Sequence, residues 1–283
     1  MTAAGAAASP GLTTQGLPNP PRLIGLPYDA SSSYLRGAAE APPLIRAALA
    51  SPAGNHWTED LHDLAAPGGL SDAGDLLLPP TAEARSHIEA GITALLDAGW
   101  RPLALGGDHS VSYPILRALQ RRHPRVTILQ LDAHPDLYDE FDGDRFSHAC
   151  PFARIMEEGL AERLVQVGVR GMNGTQREQA ERFGVEVVDM RAWLAGMRPG
   201  LAGAVYLSLD LDALDPAFAP GVSHREPGGL SVREVIALVQ KLAGVLVGAD
   251  VVEYNPQQDI GGVTAGVAAK LVKEIAARML QPG

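Results

Sequence analysis

Cys150 is the only cysteine in the sequence. An intrachain disulfide framework is therefore excluded, and a reducing, cytoplasmic setting is expected. Aromatic residues are sparse at 5%, so the 46% hydrophobic content must build a largely aliphatic core. Positive charge is also in short supply. Twenty-three basic residues face 33 acidic ones, the net charge is −10, and no basic cluster is present. That balance argues against nucleic acid or an anionic membrane as partner and mildly favours cationic ligands. No run is apolar for long enough to span a bilayer. Residues 1–21 carry no charged side chain and no cationic segment ahead of an apolar one, so they do not read as a secretory signal. Rich in Ala, Gly, Pro and Thr, they read as a poorly ordered tail, and 22–283 reads as a single domain.

What is present is concentrated in three places. Val126 to Leu131 is an apolar run typical of a buried parallel strand, and Asp132, His134 and Asp136 follow it at every second position. Side chains at i, i+2 and i+4 of an extended chain share a face, and Pro135 disfavours a helical His134. A second strand, from Pro102, ends in Gly106-Gly107-Asp108-His109. A third, from Val205, ends in Asp210-Leu211-Asp212, with Asp215-Pro216 just beyond. Open α/β sheets bind ligands at the carboxyl ends of their strands. Four carboxylates and two imidazoles, from His109, Asp132, His134, Asp136, Asp210 and Asp212, exceed what one structural zinc takes. They suit two divalent ions sharing carboxylates, and oxygen-rich ligation favours Mn²⁺.

The remainder of the chain alternates strand and helix. Strands are expected at Leu23–Leu26, Asp72–Leu78, Leu164–Val169, Val185–Val188 and Val245–Val252, besides the three above. Helices are expected after Pro42-Pro43, from a Thr81 cap to Ala98, from Val111 to Arg121, from Pro151 to Glu158, from Gln176 to Phe183 and near Arg191 to Leu194. Two more run from a Ser231 cap to Leu242 and from Val263 to Leu280. Such alternation predicts a parallel sheet covered by helices on both faces.

The GGDHS segment with His109, the DAHPD run and SLDLDALDP together resemble the ureohydrolases, the arginase and agmatinase family. Ser147–Phe152, Ala219–His224, Glu226–Ser231 and Val251–Pro256 are similar to the plant-type arginases and bacterial agmatinases in particular. The resemblance implies a three-layer α/β/α fold around an eight-stranded parallel sheet, two Mn²⁺ per chain, and a homotrimer or hexamer. It implies hydrolysis of a terminal guanidino group to urea and an amine. His109, Asp132, Asp136 and Asp210 would hold one ion, and Asp132, His134, Asp210 and Asp212 the other, with Asp132 and Asp210 bridging. Two cations can lower the pKa of a shared water enough for attack on a poor electrophile. The resemblance gives Asp136 the task of orienting that nucleophile, Glu253 that of anchoring the guanidinium, and His148 that of passing protons to the leaving amine.

Other residues invite plainer readings. His224 lies in a turn-rich loop near the site, as a substrate contact or a structural residue. Asp215 reads as a turn former and Asp108 as a group supporting the cluster, whereas His56, His62, His87 and His123 read as surface residues. A thiol mechanism through Cys150 would leave six metal-type ligands unexplained. A mononuclear zinc deacetylase would need fewer carboxylates, and a non-catalytic metal-binding scaffold would have lost one of them. As substrate, agmatine is the first expectation, because Tyr138 and the acidic residues Asp139, Glu140, Asp142 and Asp144 follow Asp136 and should repel a carboxylate. Arginine, bound through Arg145, Arg225 or a neighbouring subunit, and other guanidino acids are the alternatives.

Overall fold

The computed structural model describes residues 19–281, so most of the expected tail, 1–18, lies outside the described residues. The first strand, β1, is Pro21–Leu26, one residue before the expected domain boundary at Arg22. Seven more strands follow: β2 Ser71–Asp75, β3 Arg101–Gly106, β4 Thr127–Leu131, β5 Arg163–Val167, β6 Glu186–Val188, β7 Ala204–Asp210 and β8 Val245–Val252. All pair in parallel in the order β2-β1-β3-β8-β7-β4-β5-β6. Every connection between successive strands contains a helix, as parallel pairing requires.

The helices are α1 Ala41–Leu49, α2 Ala84–Asp97, α3 Ser112–Gln120, α4 Pro151–Glu157, α5 Gly174–Phe183, α6 Met190–Leu194, α7 Val232–Gln240 and α8 Val263–Leu280. Ile45 of α1, Trp193 of α6, Val235 of α7 and Leu271 of α8 pack on one face of the sheet. Ile88 of α2, Leu116 of α3, Phe152 of α4 and Ala180 of α5 pack on the other. Because both faces are covered, the central strands are apolar at nearly every position rather than alternating. This is the three-layer α/β/α architecture that the strand–helix alternation predicted.

Two local expectations need correction. The strand expected over 72–78 is only Ser71–Asp75, and Leu77 is 95% exposed. β2 is an edge strand with β1 as its single neighbour, so nothing continues the ladder toward Pro79. Nor does the Thr81 side chain cap α2. The helix begins at Ala84, whose amide donates to the Thr81 carbonyl in a preceding turn. Ser231 does cap α7, in a reciprocal box with Glu234.

The topology decides where chemistry can occur. β3, β8, β7 and β4 are consecutive neighbours in the middle of the sheet. Their registers align Leu105 with Val251, Asp210 with Val252, and Leu131 with Leu209. Segments that are far apart in sequence therefore leave the sheet side by side, at its carboxyl edge.

Candidate metal centre

His109 follows β3 on a turn that only glycine permits. A Cβ on Gly107 would lie 1.7 Å from the Tyr28 carbonyl oxygen, and that same oxygen accepts the Asp108 amide. Asp132, His134 and Asp136 leave β4, Asp210 and Asp212 leave β7, and Glu253 leaves β8. Asp136 and Glu253 both hold positive φ, at 51° and 64°, a conformation uncommon for non-glycine residues and often found at functional sites.

The ring of His109 is fully buried, and its Nδ1 lies 3.2 Å from Asp132 Oδ2, 3.0 Å from Asp136 Oδ2 and 3.2 Å from Asp210 Oδ2. Nδ1 is nonetheless oriented to hydrogen-bond none of them. The other nitrogen explains why. Nε2 donates to Ser208 Oγ at 2.9 Å, and Ser208 Oγ donates to Asp250 Oδ1 at 2.7 Å. Asp250 also accepts from Ser112 and Tyr206. An acceptor-only carboxylate at the end of this chain fixes the proton on Nε2 and turns the bare Nδ1 lone pair toward three carboxylate oxygens. Four electron-rich atoms facing one point could hold a cation between them.

A second group shares Asp132 with the first. His134 Nδ1 lies 3.0 Å from Asp212 Oδ2 and 3.6 Å from Asp132 Oδ1, so the two oxygens of Asp132 face different histidines. The candidate ligand atoms of Asp132, His134 and Asp212 fall within 4.8 Å of one another, as do those of His109, Asp132 and Asp136. Asp210 joins the first group through Oδ2, while its Oδ1 accepts the Asp212 amide at 2.8 Å. All six residues expected from sequence thus converge, in two groups linked through Asp132.

Without cations the electrostatics are strained. Burial, reinforced by Asp132, lifts the Asp136 carboxyl to about 6. Burial and then Asp212 push Asp210 well above the carboxylate range. For His134, burial works against the charged form, but Asp212 and Asp132 outweigh it and raise the imidazole to about 12. Protons are substituting for positive charge that the donor set invites, and hard divalent ions suit these oxygen and imidazole donors.

A cleft of about 150 Å³ opens over the cluster, lined among others by Ser33, His134, Asp136, Tyr138, His148 and His224. His148 Nδ1 donates to Glu253 Oε1 at 2.8 Å, and the same oxygen accepts the His109 amide. Burial disfavours the imidazolium of His148, yet Glu253 lifts it to about 9. The ring of His224 sits 5.2 Å from that of His148 and 6.1 Å from that of His134, which places it on the cleft wall. Asp108 is buried and accepts Ser31 N, Ser110 N and the Ser32 hydroxyl, with burial and then Glu253 raising it to about 7. Asp215 is the expected turn former, accepting the amides of Ala217, Gly228 and Gly229. His56 and His87 are exposed, and His62 and His123 half-buried, away from the site. Among the described residues, larger clefts elsewhere, such as one of about 490 Å³ beside Arg177 and Arg191, hold no imidazole–carboxylate cluster.

The supporting polar residues escaped the sequence reading. Gln130 donates to Asp132 Oδ2 at 2.7 Å, and Gln166 donates to Gln130 Oε1 at 2.7 Å. The available signal was one polar residue inside each apolar strand. Gln130 and Ser208 each stand two positions before a carboxylate, on the same strand face.

An α/β sheet with paired carboxylate–imidazole groups at the carboxyl ends of its central strands carries a site that could hold metal ions. The model of the Arginase family matches residues 20–277, and the chain belongs to that family. It is accordingly a ureohydrolase, acting on guanidino compounds. Arginase 1, mitochondrial, of Arabidopsis thaliana is 48% identical over 278 residues, covering 91% of this chain and 80% of the relative. An agmatinase of Bacillus anthracis is 34% identical, covering 89% of each. A solved structure, an arginase from Medicago truncatula, superposes with a TM-score of 0.89 at 44% identity, covering 93% of this chain and 88% of the other.

Proposed function

We propose that the chain is an arginase that hydrolyses the guanidino group of arginine to urea and ornithine with two Mn²⁺ ions. The observation that carries this reading is the 48% identity to an arginase over 91% of the chain, against 34% to an agmatinase. It displaces agmatine, the first expectation, in favour of the second.

The placement of the acidic loop is consistent with this reading. Asp139 pairs with Arg145 at 2.7 Å and Arg154 at 2.8 Å, and none of Asp139, Glu140, Asp142 and Asp144 lines the cleft. Arg145 is thereby engaged, and Arg225 donates to the Pro220 and Gln258 carbonyls, so neither arginine faces the cleft. On that wall stand neutral donors instead. Tyr138 and Gln176 line the cleft, and the Asn173 amide donates to the Tyr138 hydroxyl at 2.6 Å. Such groups can meet an α-carboxylate without an ion pair.

In this reading His109, Asp132, Asp136 and Asp210 would hold one ion, and Asp132, His134, Asp210 and Asp212 the other. Bound there, the ions supply Lewis acidity and bring the pKa of water toward neutrality. Asp136 orients the attacking oxygen. Glu253 keeps Oε1 on His148 and His109 and offers Oε2 to the guanidinium, fixing the carbon against the nucleophile. His148 holds the proton for the leaving amine. The buried free thiol of Cys150 suits a reducing compartment, the cytoplasm or a mitochondrion as in the name of the Arabidopsis relative. Among the described residues no helix is long and apolar enough to cross a membrane. The resemblance to the family extends this reading to a homotrimer or hexamer of a single-domain chain.

The test is urea release by Mn²⁺-loaded protein from arginine, agmatine and 3-guanidinopropionate. Arginine should give the highest kcat/KM, by at least about tenfold. A higher value for agmatine would return the reading to agmatinase.

A further inference from the structure

We propose that Ser33 relays the proton between His148 and the leaving amine. This rests on the reading of His148 as the general acid. Ser33 Oγ lies 2.8 Å from His148 Nε2 and lines the cleft. The opposite nitrogen of His148 is committed, because Nδ1 faces Glu253 Oε1 at 2.8 Å and a carboxylate only accepts. Nε2 is therefore the nitrogen whose protonation can change, and the atom against it is the serine hydroxyl rather than open cleft.

The placement of Ser33 is built, not incidental. The backbone amide of Ser31 and the hydroxyl of Ser32 both donate to Asp108 Oδ2, at 3.0 and 3.3 Å, tying the loop to the residue before His109. The His148 amide donates to the Ser31 carbonyl at 3.1 Å, so the loop and the histidine are joined through backbone as well. Ser33 itself stays exposed on the cleft side.

The chemistry balances. When His148 is an imidazolium, Nε2–H donates to Ser33 Oγ and leaves the hydroxyl hydrogen free to turn into the cleft. As the C–N bond of the tetrahedral adduct breaks, its electron pair stays on nitrogen. That nitrogen takes the Ser33 hydroxyl proton while Ser33 Oγ takes the His148 Nε2 proton. One proton has passed from imidazolium to amine, Ser33 is regenerated, and nothing is oxidised or reduced. Solvent then recharges His148. Two protons move in the step, where direct donation by His148 would move one.

Single-turnover urea release from arginine by Mn²⁺-loaded Ser33→Ala tests this, alongside wild type, Ser33→Thr and His148→Asn, each with verified metal content and melting temperature. Ser33→Ala should be slower by about a hundredfold with KM within about threefold. Ser33→Thr, which keeps the hydroxyl, should recover the greater part of the rate. In mixtures of H₂O and D₂O the wild-type rate should curve with deuterium fraction and that of Ser33→Ala should be linear, a difference a packing role would not produce. Loss in Ser33→Ala with the curvature unchanged, or a rate within twofold of wild type while His148→Asn is crippled, overturns the relay and leaves His148 donating directly. Full activity in both variants overturns the reading of His148, and the relay with it. A wild-type protein that releases urea from no guanidino substrate overturns both, at the level of the proposed function.

Discussion

The thiol of Cys150 illustrates what surroundings do to a single reactive group. It is buried near Asp136, 3.7 Å from the Asp144 carbonyl oxygen. Burial, and then Asp136, push it up to about 12, so at neutral pH it keeps its proton and is a poor nucleophile. Cys150→Ser should hold kcat within about tenfold, since only a weakly polar packing group is exchanged. A loss of several orders of magnitude in metal-replete protein would restore the covalent route that the sequence reading set aside. Asp210 lies at the other extreme. Its carboxylate faces the Nδ1 of His109, so Asp210→Asn removes a charge the cations need. Metal content and urea release should fall together in that variant, by atomic absorption and by assay. Wild-type turnover with two ions bound would rule out the assigned role.

Strands contribute through the polar residues hidden in them. Gln130 on β4 and Gln166 on β5 are fully buried, and together they hold Asp132, the carboxylate common to both ligand groups. Replacing Gln130 with Leu keeps the apolar run but removes the donor that orients Asp132. Metal affinity should drop about 10- to 100-fold, measured by titration of chelator-stripped protein with Mn²⁺. An unchanged affinity would show that backbone geometry alone orients Asp132. Helix ends contribute stability instead. The box between Ser231 and Glu234 satisfies the first orphan amides of α7. Ser231→Ala should cost about 1 kcal/mol in the melting curve with no change in kcat.

For the molecule as a whole, the sheet brings together Asp132, Asp136, Asp210 and Asp212, which repel one another when no cation is present. A ligand that binds only the folded state stabilises it by mass action, about 2.7 kcal/mol per site at a concentration one hundred times Kd. Stripping metal with a chelator should therefore lower the melting temperature, and Mn²⁺ should restore it by several degrees. A melting temperature indifferent to Mn²⁺ would argue against an ion at this cluster.

By itself the sequence determined the fold class and the six clustered ligand candidates. Apolar runs bounded by turns mark buried strands, and the i, i+2 spacing of Asp132, His134 and Asp136 puts carboxylate and imidazole on one side of an extended chain. These are local properties, carried by neighbours in the chain. What the tertiary structure decided is everything that depends on which strands lie side by side. The order β3-β8-β7-β4 sets Glu253 beside His109, with Ser208 and Asp250 behind it, and the loop after β4 brings His148 onto Glu253. The same folding brings Ser33 against His148, 115 residues away in sequence, and pairs the acidic Asp139 with Arg145 and Arg154. A carboxylate read in the sequence counts as free charge, whereas in the fold its effect depends on the partner within hydrogen-bonding reach. That is why the ligand set was legible from spacing, while the charge presented to the substrate was not.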